Sequence, residues 1–168
     1  ELGTEAFLSN YWQQQPCLIR QAFPGFKPPL DSDELAGLAC EDLAESRIVL
    51  GRYPDERWEV RHGPFSEDDF AGLPGGNWTL LVQDAEKLSP PLAGYLDAFS
   101  FLPAWRLDDL MISFATTGGS VGPHADQYDV FLLQAQGQRL RQGHGALEYG
   151  DQQPVGRRLG HVADSNEG

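Results

Sequence analysis

Apolar positions along the chain recur at helical spacing in several short segments of the first half and alternate in strand fashion through most of the second. Phe7, Leu8, Tyr11 and Trp12 stand three and four apart, which predicts an amphipathic helix over 4–15 that Pro16 ends. Residues 17–23 then read as a strand, followed by a Pro/Gly loop. Asp31 or Ser32 offers an oxygen to unpaired amide donors, and Asp33 and Glu34 favour the positive end of a helix reaching about Cys40. Further strands are expected at 45–50 and 57–62 around a turn at 53–56, and at 77–84. Short helices are expected at 66–73 and, opened by Pro90 and Pro91, at 90–99, with a loop at 103–105. The two clearest strands, 107–115 and 126–134, are joined by the Gly-rich segment 116–123. The sum is an α+β arrangement, N-terminal helices on a jelly-roll sheet, over residues 1–140. Residues 141–168 show no period of 2 or 3.6 and read as an irregular tail foreign to that fold.

The candidate chemistry sits where the second of those strands begins. His124 and Asp126 are two apart, and side chains at i and i+2 of an extended segment leave from the same face. Imidazole plus carboxylate with open positions is the preference of non-heme Fe(II). Such a pair on its own is weak, because a lone histidine beside a turn is more often an ordinary hydrogen-bonded residue. Other chemistries lack their motifs: there is no phosphate-binding Gly-x-x-x-x-Gly-Lys loop and no Gly-x-Gly-x-x-Gly, and residues 118–122, though they spell Gly-x-Ser-x-Gly, have no predicted helix after them to make a nucleophile elbow. Residues 118–122 superficially suggest a phosphate cradle, but no helix is predicted after them.

The flanking sequence strengthens the pair. The stretches RLDDLMISF (106–114), GGSVGPHADQYDVF (118–131) and QAQGQR (134–139) resemble the bacterial JmjC-type ribosomal oxygenases. So do YWQQQP (11–16), DELAGL (33–38), HGPF (62–65) and NWTLLVQ (77–83), so that the resemblance runs from about Phe7 to Leu140. It implies a double-stranded β-helix of the cupin type, not necessarily complete here. It also implies Fe(II) and 2-oxoglutarate as cofactors, and hydroxylation of an arginine in a large-subunit ribosomal protein. His124 and Asp126 then take metal-ligand positions, with no catalytic residue beyond the metal ligands.

Arg139 carries a planar fork of donors that matches a carboxylate bidentately, and the resemblance makes it the anchor for the distal carboxylate of 2-oxoglutarate. The bland alternative is a solvated turn arginine. Met111 and Ser113 share one face of the strand predicted at 107–115 and could touch co-substrate, or simply pack. Gln127 and Tyr128 follow the metal pair as substrate-contacting groups. The resemblance places a second iron-binding histidine beyond the last residue of this sequence. His144 and His161 are the alternative third ligands, and a non-catalytic cupin-like binding or relic module is the alternative function.

Charge and cysteine content bound the partners. Twelve Lys plus Arg against 25 Asp plus Glu give a net charge of −13, which argues against a nucleic-acid surface and anionic membranes and suits a basic protein substrate. Cys17 and Cys40 make no disulfide framework, so a reduced, cytoplasmic setting is expected. No apolar run approaches the roughly 18 residues of a membrane span, and residues 1–16 do not read as a signal peptide. Homodimerisation of a full-length form is a further implication of the resemblance.

Overall fold

A computed structural model describes residues 2–52 and 57–139. The described residues form two compact units: Pro29–Ala125 make one, while residues 2–28 together with 126–139 make the other.

The Pro29–Ala125 unit is built on a four-stranded antiparallel sheet of β1 (Ser46–Leu50), β2 (Glu59–His62), β3 (Trp78–Val82) and β4 (Ile112–Ala115), in the order β2-β1-β3-β4. The register pairs Ile48 with Leu80 and Leu80 with Phe114, which puts Ile48, Leu80, Val82, Ile112 and Phe114 on one face. Two helices supply the opposing apolar surface. In α2 (Ser32–Ala39), Leu35 and Ala39 are one turn apart and buried; α3 (Glu67–Ala71) contributes Phe70. With Phe65 these side chains close the core.

Both helices start where their first residues dictate. Asp31 accepts the amides of Asp33 and Glu34 at 2.9 Å while the Glu34 carboxylate accepts the Asp31 amide, a reciprocal cap. Ser66 and Asp69 repeat the arrangement at α3. The Asp69 carboxyl is held below its usual range, first by the Ser66 hydroxyl and then by the Ser66 amide. The second sheet face carries Val49, Thr79 and Leu81, all buried, so β1 and β3 bury residues on both faces.

The other unit contains α1 (Thr4–Asn10) and the segment after Asp126. Trp12 stacks on Phe131 at 5.7 Å between ring centroids and Phe7 lies 6.0 Å from the same ring, while the Gln13 side-chain amide donates to Asp129 at 2.9 Å. Alternate residues 129 and 131 therefore both meet the N-terminal segment.

Several expected elements differ. The helix over 4–15 stops at Asn10, and Gln13 takes a φ of 56°, which an α-helix does not accommodate. Residues 17–23 form no strand: Gln21 has a φ of 52°, incompatible with β geometry. The helix expected at 90–99 breaks into α5 (Pro90–Ala93) and a 3-10 turn, Leu96–Phe99, on either side of Gly94; α4 (Ala85–Leu88) precedes it. Residues 103–105, expected as a loop, lead into a 3-10 turn at Ala104–Arg106. The strand expected at 107–115 shortens to Ile112–Ala115, because β3 offers ladder partners only from Thr79 to Val82. Residues 126–134 alternate in sequence but make no ladder among the described residues. An alternating segment becomes a strand only when a neighbour offers its amides and carbonyls. The turn expected at 53–56 and the tail from 141 lie outside the described residues.

Candidate functional site

β4 delivers the chain into the Gly-rich loop, and the first two residues of that loop are tied to Asn77 and Trp78 at the start of β3. The Thr116 hydroxyl accepts the Trp78 amide and donates to the Trp78 carbonyl; the Thr116 amide donates to the same carbonyl, and the Asn77 amide to Thr117 O. Gly118 has a φ of 78° and passes so close to the Asn77 side chain that a Cβ would overlap it. A Cβ on Gly119 would run into the Trp78 carbonyl. Only glycine meets both demands, which gives the Gly-Gly pair a packing reason in place of a phosphate-binding one.

Two residues later the loop turns again at Gly122, also with φ 78°, its amide donating to Ser120 Oγ at 3.1 Å. The Gly122 carbonyl accepts a hydrogen bond from His124 Nδ1 at 2.9 Å. A carbonyl can only accept, so Nδ1 carries the proton and the lone pair of the neutral ring sits on Nε2. A backbone carbonyl on one ring nitrogen is how metal-binding histidines are usually oriented. His124 is exposed.

The remaining predicted residues occupy these places. Asp126 is exposed and is the first residue of the second segment of the other unit. Gln127 and Tyr128 are exposed beside it. Arg139 is half-buried, two residues after a bend at Gln136 and Gly137 in which Gly137 has a φ of 67°. Met111 and Ser113 are both exposed while Ile112 and Phe114 pack into the core, so the two share the outer face as their spacing predicts. Ser113 pairs with Leu81, and Met111 Sδ lies 4.0 Å from an Arg47 guanidinium nitrogen.

The donor chemistry of His124 and Asp126 suits Fe(II) as far as two ligands go. Among the described residues no three His, Cys, Asp or Glu side chains gather to hold a metal, and His144 and His161 lie outside those residues. Neither cysteine is poised as a nucleophile: burial pushes both thiols up, Cys40 further through Glu67, Asp69 and Glu41. Sequence reasoning missed the loop's supports, Asn77, Trp78 and Trp58, since no spacing rule links them to residues 116–124.

The JmjC domain family matches residues 95–156, which include β4 and the Gly-rich loop and run past Leu140, where the readable resemblance ends. The chain is 47% identical over 133 residues to the ribosomal protein uL16 3-hydroxylase of Escherichia coli K12, covering 79% of this chain and 35% of that protein. It is 42% identical over 135 residues to a probable ribosomal oxygenase of Haemophilus influenzae, covering 80% of this chain and 33% of that one. The solved structure of the E. coli ribosomal oxygenase YcfD superposes with a TM-score of 0.78 at 43% identity, over 94% of this chain and 43% of that one. A structure of YcfD with cobalt and 2-oxoglutarate gives 0.76 at the same identity, over 92% and 42%. These likenesses in sequence and structure are to the JmjC-type ribosomal oxygenases, whose α+β jelly-roll fold the chain shares. The chain spans about a third of the length of the curated relatives it matches. No helix among the described residues is long and apolar enough to cross a membrane.

Proposed function

We propose that this chain is the N-terminal and early-barrel part of an Fe(II)- and 2-oxoglutarate-dependent hydroxylase acting on an arginine of a basic large-subunit ribosomal protein in the cytoplasm. The observation that carries the reading is the His124 ring, its Nδ1 proton engaged by the Gly122 carbonyl so that the ring lone pair is on Nε2, two residues before Asp126. The names of the relatives support the substrate class, and the cobalt and 2-oxoglutarate in the YcfD structure support the cofactors. His124 and Asp126 would hold the metal, which when bound supplies oxygen activation. Arg139 would hold the far carboxylate of the co-substrate, Met111 and Ser113 would contact the co-substrate, and Gln127 and Tyr128 would touch the protein substrate. The net charge of −13 suits capture of a cationic partner and disfavours direct nucleic-acid contact. The test is succinate release by the full-length protein in the presence of a basic ribosomal-protein peptide, with hydroxylation located by mass spectrometry. No peptide-dependent turnover would overturn the reading.

A second reading, a non-catalytic cupin-like binding module, is favoured by one observation: the described residues offer no cluster of three metal-binding side chains. Mn(II) titration of the 168-residue chain separates the two. Stoichiometric binding lost in His124→Ala supports a working centre, and no binding supports the module.

A further inference from the structure

We infer that Trp58 is a positioning residue for His124, acting through Gly122. The inference deepens the proposed function and rests on His124 being the metal-binding histidine. Trp58 lies just before β2, half-buried, with its indole between two glycines far apart in sequence. On one side is Gly51, at the end of β1, whose amide donates to Asn77 O at 2.9 Å. A Cβ on Gly51 would overlap the six-membered ring of Trp58. On the other side is Gly122, where a Cβ would lie 3.2 Å from Trp58 Cε2 and 3.3 Å from Cζ2.

The consequence runs along the loop. Gly122 sits at φ 78° and presents the carbonyl that His124 Nδ1 uses. Rotation of that peptide would swing the carbonyl away and release the imidazole to its other tautomer and other rotamers. Hydrogen bonds hold the loop at Thr116, Thr117 and Gly119, and the Ser120 hydroxyl supports the Gly122 amide, while the atoms that a Cβ on Gly122 would meet belong to the indole. A flat, rigid ring pressed on the Cα of Gly122 resists that rotation, and the ring is itself backed by the fixed end of β1. A smaller side chain at 58 leaves a gap there and removes the restraint. Trp58 also borders a groove of about 580 Å³ with Leu50, Arg57, Glu59, Pro74 and Asn77.

The test is ¹⁵N NMR of the His124 ring at a pH where it is neutral, together with Mn(II) affinity, in wild type, Trp58→Ala, Trp58→Phe and Gly51→Ala. The amide spectrum of each variant reports on folding. Wild type should show the Nδ1–H tautomer. Trp58→Ala should mix in the Nε2–H form and weaken Mn(II) about 10-fold or more, the range seen when a group orienting a ligand is lost. Trp58→Phe, which keeps a flat ring, should restore most of both. Gly51→Ala, whose methyl group overlaps the indole on the side away from Gly122, should shift the ring against Gly122 and change the tautomer ratio. An unchanged tautomer in folded Trp58→Ala and Gly51→Ala would overturn the inference. Failure of wild type to bind Mn(II), with the tautomer shifting as described, would instead overturn the metal-binding role and leave the positioning role standing.

Discussion

Thr116 Oγ1 accepts the amide hydrogen of Trp78 at 3.1 Å and donates its own to the Trp78 carbonyl at 3.0 Å, so one hydroxyl ties the start of the Gly-rich loop to both polar groups of one β3 residue. The Trp78 carbonyl has a second donor in the Thr116 amide. Among the described residues, the Trp78 amide finds its acceptor in that hydroxyl. Thr116→Val keeps the shape and leaves that part-buried amide without its acceptor. Loss of about 1–3 kcal/mol is expected, with Thr116→Ser close to wild type. Urea unfolding of the three proteins measures it, and equal midpoints for Val and Thr would show that the hydroxyl is dispensable.

Thr79 is the opposite case, a hydroxyl where a methyl would serve better. It is fully buried in β3 between Val49 and Ala115, and its Oγ1 has no hydrogen-bond partner among the described residues. Burying an unsatisfied hydroxyl costs about 1–3 kcal/mol, while valine fits a strand at least as well. Thr79→Val should therefore be neutral or raise the melting temperature by a few degrees, on the order of the shift that 1 kcal/mol gives a domain of this size. A clear fall in calorimetry would reveal a partner that the hydroxyl engages.

The strands and caps that the residues announced are those whose causes are local. Asp31 with Glu34, and Ser66 with Asp69, need only three residues of context to start a helix, and both helices begin there. β1 and β3 carry apolar residues on both faces, so any antiparallel neighbour makes them strands. The segment 126–134 was legible as alternating but not as laddered, because a strand depends on what lies beside it. Gln21 and Gln13 take left-handed backbone angles that no residue preference foretold. At the site, the proximity of His124 and Asp126 in sequence was readable. The packing of Trp58 on Gly122 was not, because it joins positions 64 apart with no shared motif.

The cap of α3 carries a pH dependence whose sign follows from the Asp69 carboxyl. The Ser66 hydroxyl at 2.6 Å and the Ser66 amide at 2.8 Å both donate to it and lower its pKa; Arg61 adds a little, while partial desolvation opposes. A carboxyl lowered on folding stabilises the folded chain above the unfolded value of about 3.9. That contribution disappears as pH falls through the lower folded value. Asp69→Asn should be less stable than wild type from about pH 5 upward, and the two should converge toward pH 2. Urea midpoints across that range decide it, and a gap that persists at the acid end would assign the effect to shape, not charge.

Arg139 gives the sharpest test of the proposed co-substrate site. It is half-buried and follows the bend at Gln136 and Gly137, so its guanidinium is carried by a turn and not by a free tail. A guanidinium can grip both oxygens of a carboxylate in one plane, whereas an ammonium offers a point charge without that fork. Arg139→Lys in the full-length protein should therefore keep the charge and lose one of two charge-assisted hydrogen bonds, each about 1.5–3 kcal/mol. The KM for 2-oxoglutarate should rise about 10-fold or more, while Mn(II) affinity should stay within about twofold, a change of only about 0.4 kcal/mol. Arg139→Ala should raise that KM further. If both variants hold the wild-type KM, the carboxylate is gripped elsewhere and Arg139 is a turn residue in solvent. If metal binding falls in step with the co-substrate, the arginine supports the fold of its segment and not the ligand.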